Sequence, residues 1–337
     1  MELYLDSANL QEVNEAFELG FLAGLTTTPT FMQRQGVTDL DGTIVELSQK
    51  VPVLQIEALG RDADTIVSEA KRQEALGLAR DKTVYKIPMS LEGAKACKML
   101  TDEGFQVNLH LVYTVQQAYL AMTAGATYVC PLVGRLQDQG VNALDLVAQI
   151  VDIKHQYGFD TKVMFSSVRH LEHVRNAISL GVDTITVPWK ILKSLSDNHL
   201  TSLGTEQFYT DHHRVNTSVK EVMRESQAVV NATDNLGHVL LAMSQSGLGA
   251  AVVADASGQA AGMFTDGDLR RHTQSGDNLA LDAELGSIHE MRPPLTIEAH
   301  EKIDVALAIM KEREVDQLVV TESGRVIGLV DIQDLLG

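Results

Sequence analysis

A chain of 337 residues is longer than one average domain and suggests about two. Its 45 acidic and 27 basic residues give a formal charge of −18, which argues against binding nucleic-acid phosphates or anionic lipid, whose partners usually present a basic face. With 45% apolar and 21% charged residues, the composition is that of a globular protein with a real core, not a disordered chain. No apolar run reaches the roughly 20 residues that span a bilayer. The opening Met1-Glu2-Leu3-Tyr4-Leu5-Asp6 lacks the basic start of a signal peptide. Two cysteines, Cys97 and Cys130, build no disulfide framework. The expectation is a soluble, cytoplasmic protein with neither nucleic acid nor membrane as partner.

Through the first part of the chain, short β-type runs alternate with amphipathic helical stretches. The predicted strands cover residues 3–5, 23–25, 53–57, 84–87, 107–112, 128–130, 162–165 and 184–187. Between the first two, Leu10, Val13 and Phe17 share a helical face, and Asn9-x-x-Glu12 predicts a capping box. Eight such units in about 210 residues fit a (β/α)8 barrel. An open doubly wound sheet is the rival, although no G-x-G-x-x-G follows the first strand. Residues 197–216 are polar and read as a terminal helix and linker. Beyond them the sequence repeats: EVMR at 221–224 answers HEMR at 289–292, and GMFTDGDL at 262–269 answers GLVDIQDL at 328–335. Two copies at this period indicate a tandem pair of small domains rather than a solenoid. The predicted domains are therefore 1–213 and 214–337, with repeats at about 217–275 and 285–337. Within each repeat the order reads strand, helix, two strands, helix.

In a barrel, chemistry collects where strands end at the C-terminal face. Those ends carry Asp6, Thr26-Thr27-Thr28-Pro29, Glu57, Lys86, His110, Arg135, Ser166-Ser167 and Arg169. Lys86 lies between Tyr85 and Ile87-Pro88-Met89, where partial desolvation favours the neutral amine that a Schiff-base nucleophile needs. Neighbouring carboxylates can move protons during addition, dehydration and C–C cleavage. Each residue alone also has a plain explanation: Asp6 as a helix cap, the lysine as a solvated strand end, the arginines as surface ion-pair partners. His170 and His173 stand at i, i+3 spacing without an evident third ligand, so no metal is expected. Cys97 reads as packing and Cys130 as barrel lining. Trp189 either edges the pocket or covers the core.

Residues 1–213 resemble the small transaldolase/fructose-6-phosphate aldolase family. The matching stretches are MELYLDSA (1–8), GLTTTPT (24–30), KIPM (86–89), AGATYVCPLVGR (124–135), YGFD (157–160) and SVRH (167–170). The resemblance implies a (β/α)8 barrel that transfers or cleaves a dihydroxyacetone-type unit of a phosphorylated ketose without a required cofactor. It makes Lys86 the Schiff-base lysine and Asp6 the acid/base. Glu57 matches the glutamate that helps hold the catalytic water, allowing one inserted residue. Thr26 and Thr28 face substrate, and Arg135, Ser167 and Arg169 fall where the family binds phosphate. Three positions depart from its pattern: Thr28 stands for asparagine, His110 for a water-positioning threonine, and Leu132 for phenylalanine or tyrosine. They point to altered chemistry or to the alternative of a sugar-phosphate-binding sensor that has lost turnover. His110 itself reads as a proton relay, a substrate ligand or a space-filling side chain.

Residues 217–337 resemble a pair of cystathionine-beta-synthase-type (CBS) domains, and GMFTDGDLRR at 262–271 is similar to the pair in arabinose-5-phosphate isomerases. The resemblance implies clefts for a nucleotide or sugar-nucleotide effector, or a role in assembling a homo-oligomer. Thr265 and Asp268 match the hydroxyl and the ribose-binding carboxylate of the nucleotide motif. In the second repeat Asp334 keeps the carboxylate, and Asp331 replaces the hydroxyl.

Overall fold

The computed structural model describes residues 1–225, 229–274 and 280–336. The first eight strands are β1 (Glu2–Asp6), β2 (Gly24–Thr26), β3 (Leu54–Glu57), β4 (Thr83–Pro88), β5 (Gln106–Val112), β6 (Tyr128–Pro131), β7 (Lys162–Phe165) and β8 (Thr184–Val187). All pair in parallel in chain order, and β8 returns to β1, closing the barrel and excluding the open sheet.

Strand alternation explains how this barrel both packs and works. In β4, Tyr85 and Ile87 turn outward into the core shared with the surrounding helices, while Val84 and Lys86 turn inward. The outward set is apolar on every strand, as with Leu5, Leu25, Ile56, Leu109, Phe165 and Val187. The lower interior is filled by Tyr4, Val84, Tyr128, Cys130 and Met164. Tyr4 and Tyr128 satisfy each other's hydroxyls at 3.1 Å, and Asn108 Nδ2 donates to Gln55 Oε1 at 2.7 Å. Gly24 admits the Tyr4 ring, because a Cβ there would lie 2.5 Å from Tyr4 Cε1 and 2.4 Å from the Val53 carbonyl. The interior is thus plugged below, and chemistry is confined to the upper ends.

The chain divides into two compact units, Met1–Asp197 and Asn198–Gly337. The helix His199–Asn216 groups with the second unit, although the sequence reading assigns most of it to the first. Its polar residues form one 18-residue helix with no linker inside it, because the Asn198 side chain caps its start by accepting from the Leu200 and Thr201 amides. The first helix (Leu10–Phe17) brings a smaller correction. Asn9 caps it, but Glu12 takes the Ser7 hydroxyl instead of completing the expected capping box.

The second unit holds a three-stranded sheet and a four-stranded sheet. Its strands are β9 (Arg224–Glu225), β10 (Val229–Asn231), β11 (Ala250–Ala254), β12 (Ala260–Thr265), β13 (Thr296–Glu298), β14 (Gln317–Glu322) and β15 (Arg325–Asp331). Each repeat runs strand, helix, hairpin, helix as expected, using helices Leu236–Ser246, Asp266–Gln274, Ile303–Arg313 and Ile332–Leu336. Ser275 and Gly337, the expected ends of the two repeats, lie outside the described residues. Val252 and Val319 belong to one apolar cluster joining the repeats. The repeated glycines are both closely approached: a Cβ on Gly262 would lie 2.7 Å from the Met291 sulfur, and one on Gly328 would lie 2.3 Å from the Arg224 carbonyl.

Candidate active site

The upper strand ends enclose a cavity of ≈ 430 Å³. Asp6, Thr26, Thr28, Glu57, Lys86, His110, Arg135 and Ser167, all expected from sequence, line it together. At its centre the Lys86 ammonium lies 3.0 Å from Glu57 Oε1 and donates to the Thr27 carbonyl at 2.9 Å. The other Glu57 oxygen lies 2.9 Å from His110 Nε2. The barrel register dictates this grouping, since Glu57 pairs beside Lys86, and Pro88, two residues on, pairs beside His110.

Burial and charge work against each other here. Burial pushes the Glu57 carboxyl up, but Lys86 and His110 outweigh it and hold the group below the usual carboxylate range. Burial pushes His110 below the usual histidine range, with Glu57 opposing and the cations Lys86 and Arg135 reinforcing the shift. Burial raises the Asp6 carboxyl despite Lys86 and a hydrogen bond from Thr26 Oγ1 at 3.0 Å. Asp6 is no helix cap, since Asn9 caps the first helix. Burial beside Lys86 instead raises its affinity for a proton, which suits a carboxylate that takes one from substrate.

Anion chemistry is offered at the rim. Ser167 holds a left-handed backbone (φ +60°), an uncommon conformation for a serine and one that clusters at ligand sites. A Cβ on Gly134 would lie 2.1 Å from the Ser167 carbonyl, so glycine is what lets the chain after β6 come this close. Arg135 donates to the Tyr113 hydroxyl at 3.4 Å and meets no carboxylate among the described residues. Arg169 departs from expectation. It pairs with Asp138 at 2.6 Å and does not line the cavity, because that carboxylate, just past the helix Val133–Gln137, is within the reach of its guanidinium.

Thr28 lines the cavity, and its hydroxyl also caps the helix Pro29–Arg34 by accepting from the Phe31 amide at 3.3 Å. Arg34, Thr186 and Leu111 line it too, and sequence reasoning missed all three. Thr30 and Arg34 stand four apart on one helix and both reach the cavity, a spacing readable in principle. Thr186 follows from inward alternation on β8. The left-handed Leu111 (φ +59°), where the β5–β6 register shifts, has no sequence signal.

The remaining candidates are structural. His173 accepts from the Arg169 amide at Nδ1 (3.2 Å), and its Nε2 meets Gln137 Oε1 at 2.5 Å, which fixes its tautomer. Burial, then His170 and Arg169, push its pKa down to about 4. Among the described residues no group of three His, Cys, Asp or Glu side chains is placed to hold a metal. Trp189 is buried and donates to Glu15 Oε2 at 3.2 Å, off the cavity. Burial pushes the Cys97 thiol up to about 12 and Cys130, in the cavity lining, up to about 11. No helix among the described residues is long and apolar enough to cross a membrane.

In the second unit Thr265 and Asp268 line an open cleft of ≈ 630 Å³, together with Asp331. Asp268 Oδ2 accepts from the Thr265 amide (2.9 Å) and hydroxyl (2.7 Å), and Oδ1 meets Arg271. Burial works to raise the Asp268 carboxyl, but Thr265 and Arg271 outweigh it and keep it low. Asp334 does not line this cleft; Arg224 forks onto it at 2.8 and 3.1 Å.

The family model for Transaldolase/Fructose-6-phosphate aldolase matches residues 3–249. The chain belongs to this family of enzymes. A probable transaldolase of Syntrophobacter fumaroxidans is 39% identical over 221 residues, covering 64% of this chain and 98% of that protein. One of Coprothermobacter proteolyticus is 40% identical over 215 residues, covering 64% and 98%. The CBS domain model matches residues 285–337, the second repeat. A solved CBS domain protein, PAE2072 from Pyrobaculum aerophilum complexed with AMP, aligns with 35% of this chain and 89% of its own at 19% identity. Its TM-score of 0.31 is too low to carry an argument about ligand. The family's barrel is therefore joined here to CBS sequence, which the two transaldolase relatives' near-complete coverage within 64% of the chain leaves unmatched.

Proposed function

We propose that residues 1–213 are a class I transaldolase or aldolase working through a Schiff base on Lys86, with a phosphorylated ketose as substrate. The buried Lys86–Glu57 contact at 3.0 Å, inside a cavity that also presents Asp6, Arg135 and Ser167, carries this reading. Arg135 and Ser167 suit the substrate phosphate, a guanidinium fork and a hydroxyl being matched to its oxygens. Lys86 adds to the ketone carbon, and loss of water gives an iminium. Asp6 takes the proton of the hydroxyl two carbons away, the carbon bearing it departs as an aldehyde as its bond to the carbon next to the iminium breaks, and the electrons shift towards the iminium nitrogen, leaving an enamine. An acceptor aldehyde then takes the three-carbon unit, or protonation and hydrolysis release it. No cofactor enters these steps.

Residues 214–337 are proposed as a CBS pair in a cytoplasmic homo-oligomer, with Thr265 and Asp268 receiving a nucleotide or sugar-nucleotide effector. Asp334 serves a second cleft only after Arg224 releases it.

The test is reductive trapping. Wild-type protein incubated with fructose 6-phosphate and borohydride is expected to gain mass on Lys86, and Lys86→Met to gain none. An unmodified wild type across a panel of ketose phosphates sinks the reading. If the same sugars still raise Tm, the barrel is a sugar-phosphate sensor.

A further inference from the structure

Both Glu57 oxygens have a basic neighbour, one the nucleophile and the other a histidine, the second at ion-pair distance but outside hydrogen-bond geometry. Lys86 Nζ is 3.0 Å from Oε1 and His110 Nε2 is 2.9 Å from Oε2, and all three side chains are at most 10% exposed. His110 also lines the cavity, so it faces substrate as well as Glu57. The strand is irregular at this point. The register between β5 and β6 shifts after His110, and Leu111 takes a left-handed conformation, the kind of bulge that re-aims a side chain beside an active site.

We propose that His110 is a catalytic acid–base of the Schiff-base step, exchanging protons with the substrate oxygen and, through Glu57, with Lys86. This rests on the Schiff-base reading. Lys86 enters charge-paired with Glu57. One proton leaves its nitrogen and frees the lone pair that forms the bond to the carbonyl carbon. A second leaves after addition, and the third stays on the iminium nitrogen. His110 takes up the two released protons in turn and gives both to the former carbonyl oxygen. The C–O bond then breaks, water departs and the nitrogen pair forms C=N. No net proton is gained or lost.

The other groups lining the cavity suit this carrier role less. Leu132 has no proton to give, the Cys130 thiol is pushed up to about 11, and the guanidinium groups of Arg34 and Arg135 are donors with no acceptor site. Asp6 is committed to C–C cleavage. Imidazole is the side chain that ordinarily titrates nearest to neutrality, which suits a proton carrier, and His110 is shifted below that range. The charged and titratable groups facing His110 are Glu57 from β3, Lys86 from β4, Cys130 beside it on β6 and Arg135 beyond β6. Burial and the two cations favour neutral imidazole, the form able to accept a proton.

Trapping of Lys86 with fructose 6-phosphate and borohydride, together with kcat and KM, should be measured from about pH 5 to about 9 for wild type and His110→Gln. The expected result for the variant is a fall of about 100-fold in trapping rate and kcat, KM within a few-fold of wild type, and loss of the acid limb that His110 protonation imposes. An unchanged acid limb, or a raised KM with kcat intact, overturns the proposal while leaving the Schiff base standing. Failure of the wild type to trap overturns both. A second readout needs no turnover. The His110 ring titration, followed by NMR, should move up in Lys86→Met and down in Glu57→Gln, and a midpoint unmoved in both breaks the relay.

Discussion

The barrel cavity and the cleft of the second unit both gather carboxylates and cations, but they hold them differently. In the barrel, the Lys86 and Glu57 side chains are 7% and 6% exposed, and strand register fixes each against its partner. In the cleft, Arg271 and Arg292 are 71% and 81% exposed, the first paired with Asp268 and the second with Glu290. Buried charges cannot trade a partner for water, whereas exposed ones can, nearly without cost. The barrel's charges are therefore fixed in place, while those of the cleft are free to rearrange. Substitutions should expose this contrast as a descending series of effects.

The largest structural effect is expected at the bridging carboxylate. Glu57→Gln keeps the shape but leaves the Lys86 charge buried without its counter-ion. Breaking a buried pair in this way costs about 3–5 kcal/mol. For a unit of this size that lowers Tm by roughly 6–20 °C, read by calorimetry. A loss no larger than that of an exposed pair would remove the distinction between the two regions.

His173 tests the border between them, being fully covered yet beside the exposed Arg169. Its folded pKa of about 4 lies below the ordinary value of 6.5. The unfolded chain thus takes up a proton that the folded one refuses, and stability contributed at neutral pH is lost as pH falls from about 6.5 towards about 4. Replacing it with glutamine should flatten the Tm–pH curve in that window by about 4–8 °C, or roughly 2 kcal/mol. Parallel curves for wild type and His173→Gln would show that the ring is not held neutral.

The same contrast governs what was readable in advance. Lys86, Asp6 and Glu57 are legible because a strand end is a local feature, and the resemblance assigns roles to the residues that stand there. Closure of eight such strands then brings them together without further information. Arg169 is not legible, since its choice of Asp138 over the cavity depends on where the helix Val133–Gln137 ends in space. The partnership of Arg224 with Asp334 spans 110 residues and competes with a role that the repeat pattern alone suggests for the carboxylate. The helix His199–Asn216 was half legible. It buries no residue, so no apolar stripe marks its length, and only the Asn198 cap announces it. Local rules reached the chemistry, and tertiary competition between charges decided the exceptions.

The smallest effect is expected at Arg224. Its side chain is 43% exposed while its partner Asp334 is 14% exposed, so solvent screens most of the attraction despite the forked geometry. Exposed pairs contribute about 0.2–1 kcal/mol. Arg224→Ala should lower Tm by no more than a few degrees at low salt and by less near 1 M, where the Debye length is about 3 Å. The Lys86–Glu57 pair, shielded from ions by the barrel wall, should keep its full Glu57→Gln penalty over the same salt range. Equal salt sensitivity in the two variants would mean that solvent reaches both sites alike, and that burial in the barrel does not set its charges apart.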